Sequence, residues 1–293
     1  MQFMKAKGFY SFDSSDLLSQ IEQYFMDKRY GPGYIPKNIK KEKNIISGIV
    51  PHASYEYFLP VSIKLYKELY ENFDFDTIII IGPNHYNIGQ KINLIIDDWY
   101  TPFGIIKTDV EFARKILNSY DSYENPILSR YEYSIEVQLP ILRYLFKDKV
   151  KIVPIIVKDI ELEMIKDFVK LLKELSKELD RKIILISTGN LYHHGEFYGN
   201  IIYKENISKN VKKESEKIIE YILNLDSEKL YKLEVDSKIF CGKYPFLFFI
   251  EYTKLYKGKI DLINHILSSE INNDEKNVVD YASLLSYKPL KKK

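Results

Sequence analysis

Four of the five histidines in this chain follow apolar segments rich in isoleucine and valine. His52 follows NIISGIV, His85 follows TIIIIG, and His193 and His194 follow KIILIS. Such segments predict buried strands. A single loop histidine is more often structural than functional, but ligands of open α/β sheets bind beyond the carboxyl ends of parallel strands. The joint placement therefore predicts that these imidazoles converge for metal binding or acid–base chemistry.

The single cysteine, Cys241, precedes a helix predicted to begin near Lys243. The positive end of a helix dipole favours a thiolate, although a buried apolar cysteine is the simpler interpretation of the local sequence. Two imidazoles and one thiolate would form a three-ligand set with open coordination positions, as in catalytic metal sites. These donors suit zinc, iron or copper. His193 would then be the spare imidazole for acid–base work.

Several other side chains could support such a site. Glu132 and Glu136 lie four residues apart near the start of a helix predicted at 134–146. We interpret Glu132 as a helix-capping carboxylate, whereas Glu136, in a more apolar run, is expected to orient a ligand histidine. Trp99 is expected either to wall a pocket or to pack in the core. His265, on an apparent helix, is assigned to the surface or to packing.

The elements that must position these residues alternate between strands and amphipathic helices, which is the pattern of an α/β fold. The predicted strands are 44–50, 77–82, 91–96, 151–157, 182–187 and 278–287. The predicted helices are SSDLLSQIEQYF, with Ser14 or Ser15 as its N-cap, and 60–72, 109–119, 134–146, 159–178, 209–224 and 243–257. We expect one domain, 1–293, with a central, mostly parallel or mixed sheet flanked by helices.

Charge and hydropathy argue against several classes of protein. Lys plus Arg number 43 and Asp plus Glu 41, and the net charge of +2 gives no field that favours nucleic acid or a membrane surface. No run reaches the roughly 18 apolar residues of a membrane span, and the N-terminus lacks an apolar signal-peptide core. With one cysteine, this predicts a cytoplasmic protein. Neither GxGxxG nor GxxxxGK[ST] occurs, so these nucleotide-binding motifs are absent.

Seven motifs occur in an order that resembles the Memo family, also named AmmeMemoRadiSam system protein B. They are PHASYEY, IIIIGPNHYNIG, WYTPFG, YSIEVQLPIL, STGNLYHHG, FCGKYP and VDYAS. With the opening GFYSFDSSDLLSQIEQYF, the resemblance covers nearly the whole chain. It implies the fold of class III extradiol dioxygenases, which are non-haem iron enzymes. It also implies a pocket in which two histidines and a cysteine replace the iron-binding histidine pair and glutamate.

Carried onto this chain, the resemblance implies a metal site formed by His52, His85 and Cys241. It favours Fe(II) or copper as the metal, with zinc as the alternative. His193 would take the place of the histidine that serves the dioxygenases as acid or base. His194 is the less favoured member of that pair and is expected in or near the pocket.

Two residues depart from the family pattern. Tyr133 stands where the family usually has the histidine of Glu-His-Ser-Ile/Leu-Glu, and Asn190 stands where it usually has aspartate. These changes should alter hydrogen bonding and proton transfer more than metal coordination. The expected function is redox or dioxygenase-like chemistry on an unknown small molecule. A zinc-dependent hydrolase and a non-catalytic module that binds a protein or (phospho)peptide partner are the alternatives.

Overall fold

The computed structural model describes residues 4–37 and 39–290. Its α-helices are α1 (Ser14–Met26), α2 (Tyr55–Glu71), α3 (Val110–Ser119), α4 (Leu139–Phe146), α5 (Leu162–Glu178), α6 (Ile207–Leu223), α7 (Ser227–Tyr231), α8 (Lys243–Tyr256) and α9 (Ser269–Asn272). Its strands are β1 (Lys43–Val50), β2 (Thr77–Pro83), β3 (Ile92–Leu94), β4 (Trp99–Thr101), β5 (Gly104–Thr108), β6 (Tyr123–Glu124), β7 (Lys151–Val157), β8 (Ile183–Thr188), β9 (Tyr192–His194), β10 (Lys259–Leu267) and β11 (Val278–Pro289). Within these described ranges, no helix is both long and apolar enough to cross a membrane.

The strands form one mixed sheet in the order β10-β11-β1-β8-β2-β7-β3-β6, and β4, β5 and β9 pair beside this path. The central strands β1, β8, β2 and β7 run parallel to one another. Strand β11 pairs antiparallel with β1, and β10 pairs antiparallel with β11. The prediction of an α/β fold with a central mixed sheet flanked by helices is therefore confirmed.

The isoleucine run of β2 is apolar on both faces because helices cover both faces of the sheet. Ile79 and Ile81 pack with residues of α3, α5, α6 and α8, whereas Ile78 and Ile80 pack with residues of α1, α2 and α4. All four side chains are fully buried. Successive side chains of a strand point to opposite faces, so the run anchors β2 in both layers at once.

Most predicted elements agree with the structure, but several boundaries were wrong. Helix α1 is capped by Asp13, whose side chain accepts hydrogen bonds from two backbone N–H groups, rather than by a serine. Helix α2 begins at Tyr55 and contains Pro60, although proline is common at the first position of a helix. Of the predicted helix 134–146, only Leu139–Phe146 is α-helical (α4), and a 3-10 turn at Glu136–Gln138 precedes it. Only Ile92–Leu94 of the predicted strand 91–96 forms a strand, and Trp99 packs in the core.

His265 lies on strand β10, so the prediction of a helix there was wrong. Apolar residues at 260, 263 and 266 have a spacing that imitates a helix face. In the structure, β10 pairs with β11 through a bulge between Leu262 and Asn264, which shifts the alternation of side chains. His265 Nε2 lies 2.8 Å from a carboxylate oxygen of the buried Asp280. This histidine therefore has a structural partner on the neighbouring strand β11.

Candidate metal centre

Two histidine loops leave parallel strands of the central sheet at the same edge. His52 lies two residues beyond the end of β1, and His85 lies two residues beyond the end of β2. Strand β8 separates β1 from β2 and pairs parallel with both. The two imidazole rings meet nearly edge to face, with centroids 4.9 Å apart. The parallel strands thus place at one point two residues that are distant in sequence.

Cys241 reaches the same point from the start of α8. The loop after β8 packs against this helix start so closely that a Cβ added to Gly189 would lie 2.4 Å from the Cα of Gly242. The backbone N–H of Asn190 donates to Cys241 Sγ at 3.2 Å. The ligand atoms offered by Cys241, His52 and His85 all lie within 4.8 Å of one another. These three side chains therefore form a group of metal-ligating size.

Hydrogen bonds fix both imidazoles through Nδ1. His52 Nδ1 lies 3.0 Å from Thr188 Oγ1, and its Nε2 lies 3.5 Å from Cys241 Sγ. His85 Nδ1 lies 2.9 Å from Glu132 Oε1. With Nδ1 engaged, Nε2 is the ring nitrogen left for a metal, as is common for histidine ligands supported by a carboxylate or another acceptor. The donor set and its supporting contacts therefore fit a transition metal.

Glu132 binds the candidate ligand His85 and precedes no helix turn directly, so its interpretation as a helix cap was wrong. Its buried carboxylate accepts hydrogen bonds from the backbone N–H groups of His85 and Ser134 in addition to contacting the His85 ring. The loops can meet because Gly82, the penultimate residue of β2, has no side chain: an added Cβ would lie 2.6 Å from Ser134 Oγ. The signal that sequence reasoning missed is this glycine, which permits the close approach of the two loops.

Glu136 does not contact a histidine, so the role predicted for it was also wrong. Its Oε1 atom accepts hydrogen bonds from the backbone N–H groups of Lys5 and Ala6 and from the Tyr10 hydroxyl. Its carboxylate is buried, and Oε2 has no hydrogen-bond partner among the described residues. The partners are more than 120 residues away in sequence, and no local pattern could have revealed them.

Thr188 and Gln138 were not predicted at the site. Gln138 Nε2 donates to Thr188 Oγ1 at 3.2 Å and to the backbone oxygen of Pro51 at 2.8 Å. The amide thereby links the loop of His52 to the threonine that holds its ring. Thr188 occupies the last position of β8, and this position at a strand end is the only sequence signal that could have indicated it.

Burial and charge act in opposite directions on the two imidazoles. Burial lowers the pKa of His52 well below its usual value, and the nearby His85 lowers it further. Burial also lowers the pKa of His85, but Glu132 and Cys241 outweigh this effect and raise it to about 10. Burial alone would raise the pKa of Glu132, whereas the His85 charge and hydrogen bonds leave it below its usual value. Without a metal, Glu132 and His85 therefore form a charged pair.

His193 lies in the same cavity with both ring nitrogens engaged. Its Nδ1 donates to the backbone oxygen of Lys238 at 2.9 Å, so Nε2 accepts from the amide of Asn190 at 3.0 Å. The Asn190 amide is fixed from its other end because Oδ1 accepts from the His52 N–H at 3.3 Å. Burial lowers the pKa of His193 to about 4, and His85 contributes in the same direction. His193 is therefore held neutral near pH 7.

Tyr133 and His194 have different surroundings. The Tyr133 ring is parallel to that of His85, with centroids 5.2 Å apart, and it contacts His52 edge to face at 5.8 Å. Tyr133 thus covers both candidate ligand histidines. His194 is not among the residues that line the cavities beside the site, and its Nε2 accepts from the Tyr203 N–H at 3.1 Å. Tyr133 therefore lies at the site, whereas His194 lines neither of the two cavities.

Two cavities open beside the three ligand side chains. One, of about 390 Å³, is lined by His52, His85, Tyr133, His193, Phe197, Tyr198, Gly199, Ser237, Lys238 and Cys241. The other, of about 440 Å³, shares His85, Ser237, Lys238 and Cys241 with it. A larger cavity of about 780 Å³ lies beside β10 and is lined by no histidine or cysteine. Chemistry rather than size therefore identifies the candidate site.

Comparisons with known proteins agree with the motifs at this site. The sequence model of the family described as Memo-like protein matches residues 3–285. A MEMO1 family protein of Ignicoccus hospitalis is 32% identical over 284 residues, which cover 95% of each chain. MEMO1 family proteins of Sulfurisphaera tokodaii and Thermococcus onnurineus are 32% and 30% identical, over 95% and 96% of this chain and 96% and 97% of theirs. The chain therefore belongs to the Memo-like family.

Proposed function

We propose that this protein is a metal-dependent enzyme that acts on a small molecule, with His52, His85 and Cys241 as the metal ligands. The convergence of their ligand atoms within 4.8 Å, beside a cavity, carries the proposal. Three protein ligands leave coordination positions for a substrate, which distinguishes catalytic from purely structural sites. The substrate then lies against the aromatic wall formed by Tyr133 and Tyr198.

Thiolate and imidazole donors suit iron, copper and zinc, and the resemblance to the family favours Fe(II) or copper and hence redox or dioxygenase-like chemistry. When bound, such a metal supplies electron transfer. The protein supplies orientation through Glu132 and Thr188, and it supplies a proton acceptor through His193. Since His193 Nε2 accepts from Asn190, a substrate that delivers a proton there must displace that amide. A neutral amide stabilises the resulting imidazolium less than an aspartate does.

Two alternatives predict different measurements. A zinc-dependent hydrolase uses the same ligands, but zinc supplies an activated water instead of redox chemistry. A peptide-binding module is less well supported, because neither cavity beside the site is lined by an arginine among the described residues. We also propose that the protein acts in the cytoplasm and binds neither nucleic acid nor a membrane.

The test is an anaerobic titration of the metal-free protein with Fe(II), Cu(I) and Zn(II), compared with His52→Ala. We expect one equivalent of Fe(II) or Cu(I) to bind and His52→Ala to weaken binding by at least about 100-fold, since even residues that only support metal ligands contribute 10- to 100-fold. Equal affinity in both proteins would refute the metal centre. Tight binding of Zn(II) alone, with no oxygen uptake by the Fe(II)- or Cu(I)-treated protein, would favour the hydrolase.

A further inference from the structure

The N-terminal residues 5–10, here called the strap, lie against both loops that build the metal centre. The strap is bound by the buried Glu136, whose Oε1 atom accepts from Lys5 N at 2.7 Å, Ala6 N at 2.9 Å and the Tyr10 hydroxyl at 2.8 Å. Lys5 Nζ also donates to the backbone oxygen of Ser129. A buried carboxylate needs such donors, and three of them on one oxygen fix the strap in place.

The strap contacts the site through Phe9. The Phe9 ring lies 4.5 Å, centroid to centroid, from the ring of Tyr133. Tyr133 is in turn parallel to the His85 ring and contacts the His52 ring. A continuous set of ring contacts therefore joins the strap to both ligand histidines.

The strap also binds the loop that carries His52. The backbone oxygen of Phe9 accepts from the N–H of Tyr55, the first residue of α2, at 2.6 Å. Tyr55 lies three residues after His52, and its hydroxyl donates to the backbone oxygen of Val137 at 3.1 Å. The strap thus spans the gap between the segment of Glu132 and Tyr133 and the segment of His52.

We propose that the strap is a positioning element of the metal centre. Glu136 anchors it, and Phe9 holds Tyr133 against the rings of His85 and His52. Glu136 and Phe9 act as positioning residues, since neither lines the cavities beside the metal ligands. This inference rests on the proposed metal centre, and it assigns to Glu136 a function through the N-terminus rather than through a histidine.

The first test is titration of the metal-free protein with Co(II), whose absorption bands report the geometry of the ligand atoms. We expect Phe9→Ala to weaken Co(II) binding about tenfold and to change the bands, by analogy with other residues that support metal ligands. Phe9→Leu, which keeps the apolar bulk, should recover most of the affinity. The control is Asp13→Ala, which removes the cap of α1 and lowers thermal stability without touching the strap's contacts to Tyr133. Wild-type affinity and bands in Phe9→Ala would overturn the proposal.

The second test needs no metal. Cys241 is the single cysteine, so its alkylation by iodoacetamide reports access to the cavity that Tyr133 lines. We expect alkylation to be several-fold faster in metal-free Phe9→Ala than in Asp13→Ala or the wild type. Equal rates in all three would overturn the role of the strap. A wild type that binds no Co(II) would refute the metal centre, whereas the alkylation rates would still decide the role of the strap.

Discussion

The two ends of the central parallel strands differ in how their ionisable side chains are paired. At the amino ends of β2 and β8, Arg181 Nε contacts the buried Asp109 at 3.0 Å, and Lys182 Nζ lies 2.8 Å from Asp74. Arg181 also contacts Glu111 at 2.8 Å. These carboxylates have basic partners. Burial alone would raise the pKa of Asp109, but Arg181 together with hydrogen bonds from the Phe112 N–H and the Thr77 hydroxyl holds it below its usual value. This end serves stability.

At the carboxyl ends of β1, β2 and β8, three imidazoles and a thiol face a cavity; His85 is paired with Glu132, whereas the buried His52 and His193 have no carboxylate partner among the described residues. His52 and His193 have pKa values below the usual range because burial disfavours their charged forms. Paired charges are common in structural ion-pair networks, whereas perturbed groups around a cavity indicate a functional site. The same strands are therefore stabilised by ion pairs at their amino ends and carry the candidate chemistry at their carboxyl ends.

The largest effect should come from Cys241→Ser, which removes the sulfur ligand at the carboxyl end. We expect metal affinity to fall by at least about 100-fold, because even supporting residues contribute 10- to 100-fold. The unfolding midpoint of the metal-free protein should change little, since serine is close to cysteine in size. Isothermal titration calorimetry and thermal unfolding measure the two quantities. If metal affinity is unchanged, Cys241 is not a ligand, and the metal centre assigned to the carboxyl ends of the strands is wrong.

The second effect concerns the pH dependence of stability. His193 has a pKa of about 4 in the folded protein and an unperturbed value of 6.5. The unfolded chain therefore binds this proton first, and the free energy of unfolding of the metal-free protein should fall as pH drops from 6.5 towards 4. The contribution is about 2–3 kcal/mol. Denaturant unfolding of wild type and His193→Gln at several pH values measures it, and parallel profiles would contradict the assignment.

The third effect lies at the amino ends, where Arg181→Ala leaves the buried Asp109 without its cation. We expect a loss of about 2 kcal/mol in the free energy of unfolding, which is below the range for fully buried pairs because Arg181 is partly exposed. Metal affinity should equal that of the wild type. Urea unfolding and a metal titration check both statements. A variant that binds metal more weakly would show that the two ends are coupled.

The smallest of these effects should come from Glu132→Gln. The amide can still contact His85 but no longer carries the charge that orients and polarises the imidazole. We expect metal affinity to fall about tenfold, as for other carboxylates that support histidine ligands. The matched control is Glu71→Gln, which alters another buried carboxylate, paired with Lys40 and Tyr34 at the far end of α2, and leaves the contacts of His85 intact. If Glu132→Gln binds metal like the wild type, Glu132 has only a structural role.

The strands, and the meeting of His52 and His85 at one edge of the sheet, could be predicted from the sequence for a physical reason. Isoleucines on both faces of β2 can be buried only in a covered sheet, and the residues that follow parallel strands share one edge. The role of Glu132 could not be predicted, because it depends on the close approach of Gly82 to Ser134. The contacts of Glu136 with the strap could not be predicted either, because their partners lie more than 120 residues away in sequence. In β10, the local spacing of apolar residues predicted a helix where the structure has a strand.

The most direct test of the central claim is X-ray absorption spectroscopy of the protein loaded with one equivalent of Zn(II), measured at the zinc edge. We predict one sulfur atom at about 2.3 Å and at least two imidazole nitrogens at about 2.0–2.1 Å. The sulfur signal should vanish in Cys241→Ser. A wild-type spectrum without sulfur in the coordination shell would contradict the claim that the thiol and the two imidazoles bind a common metal.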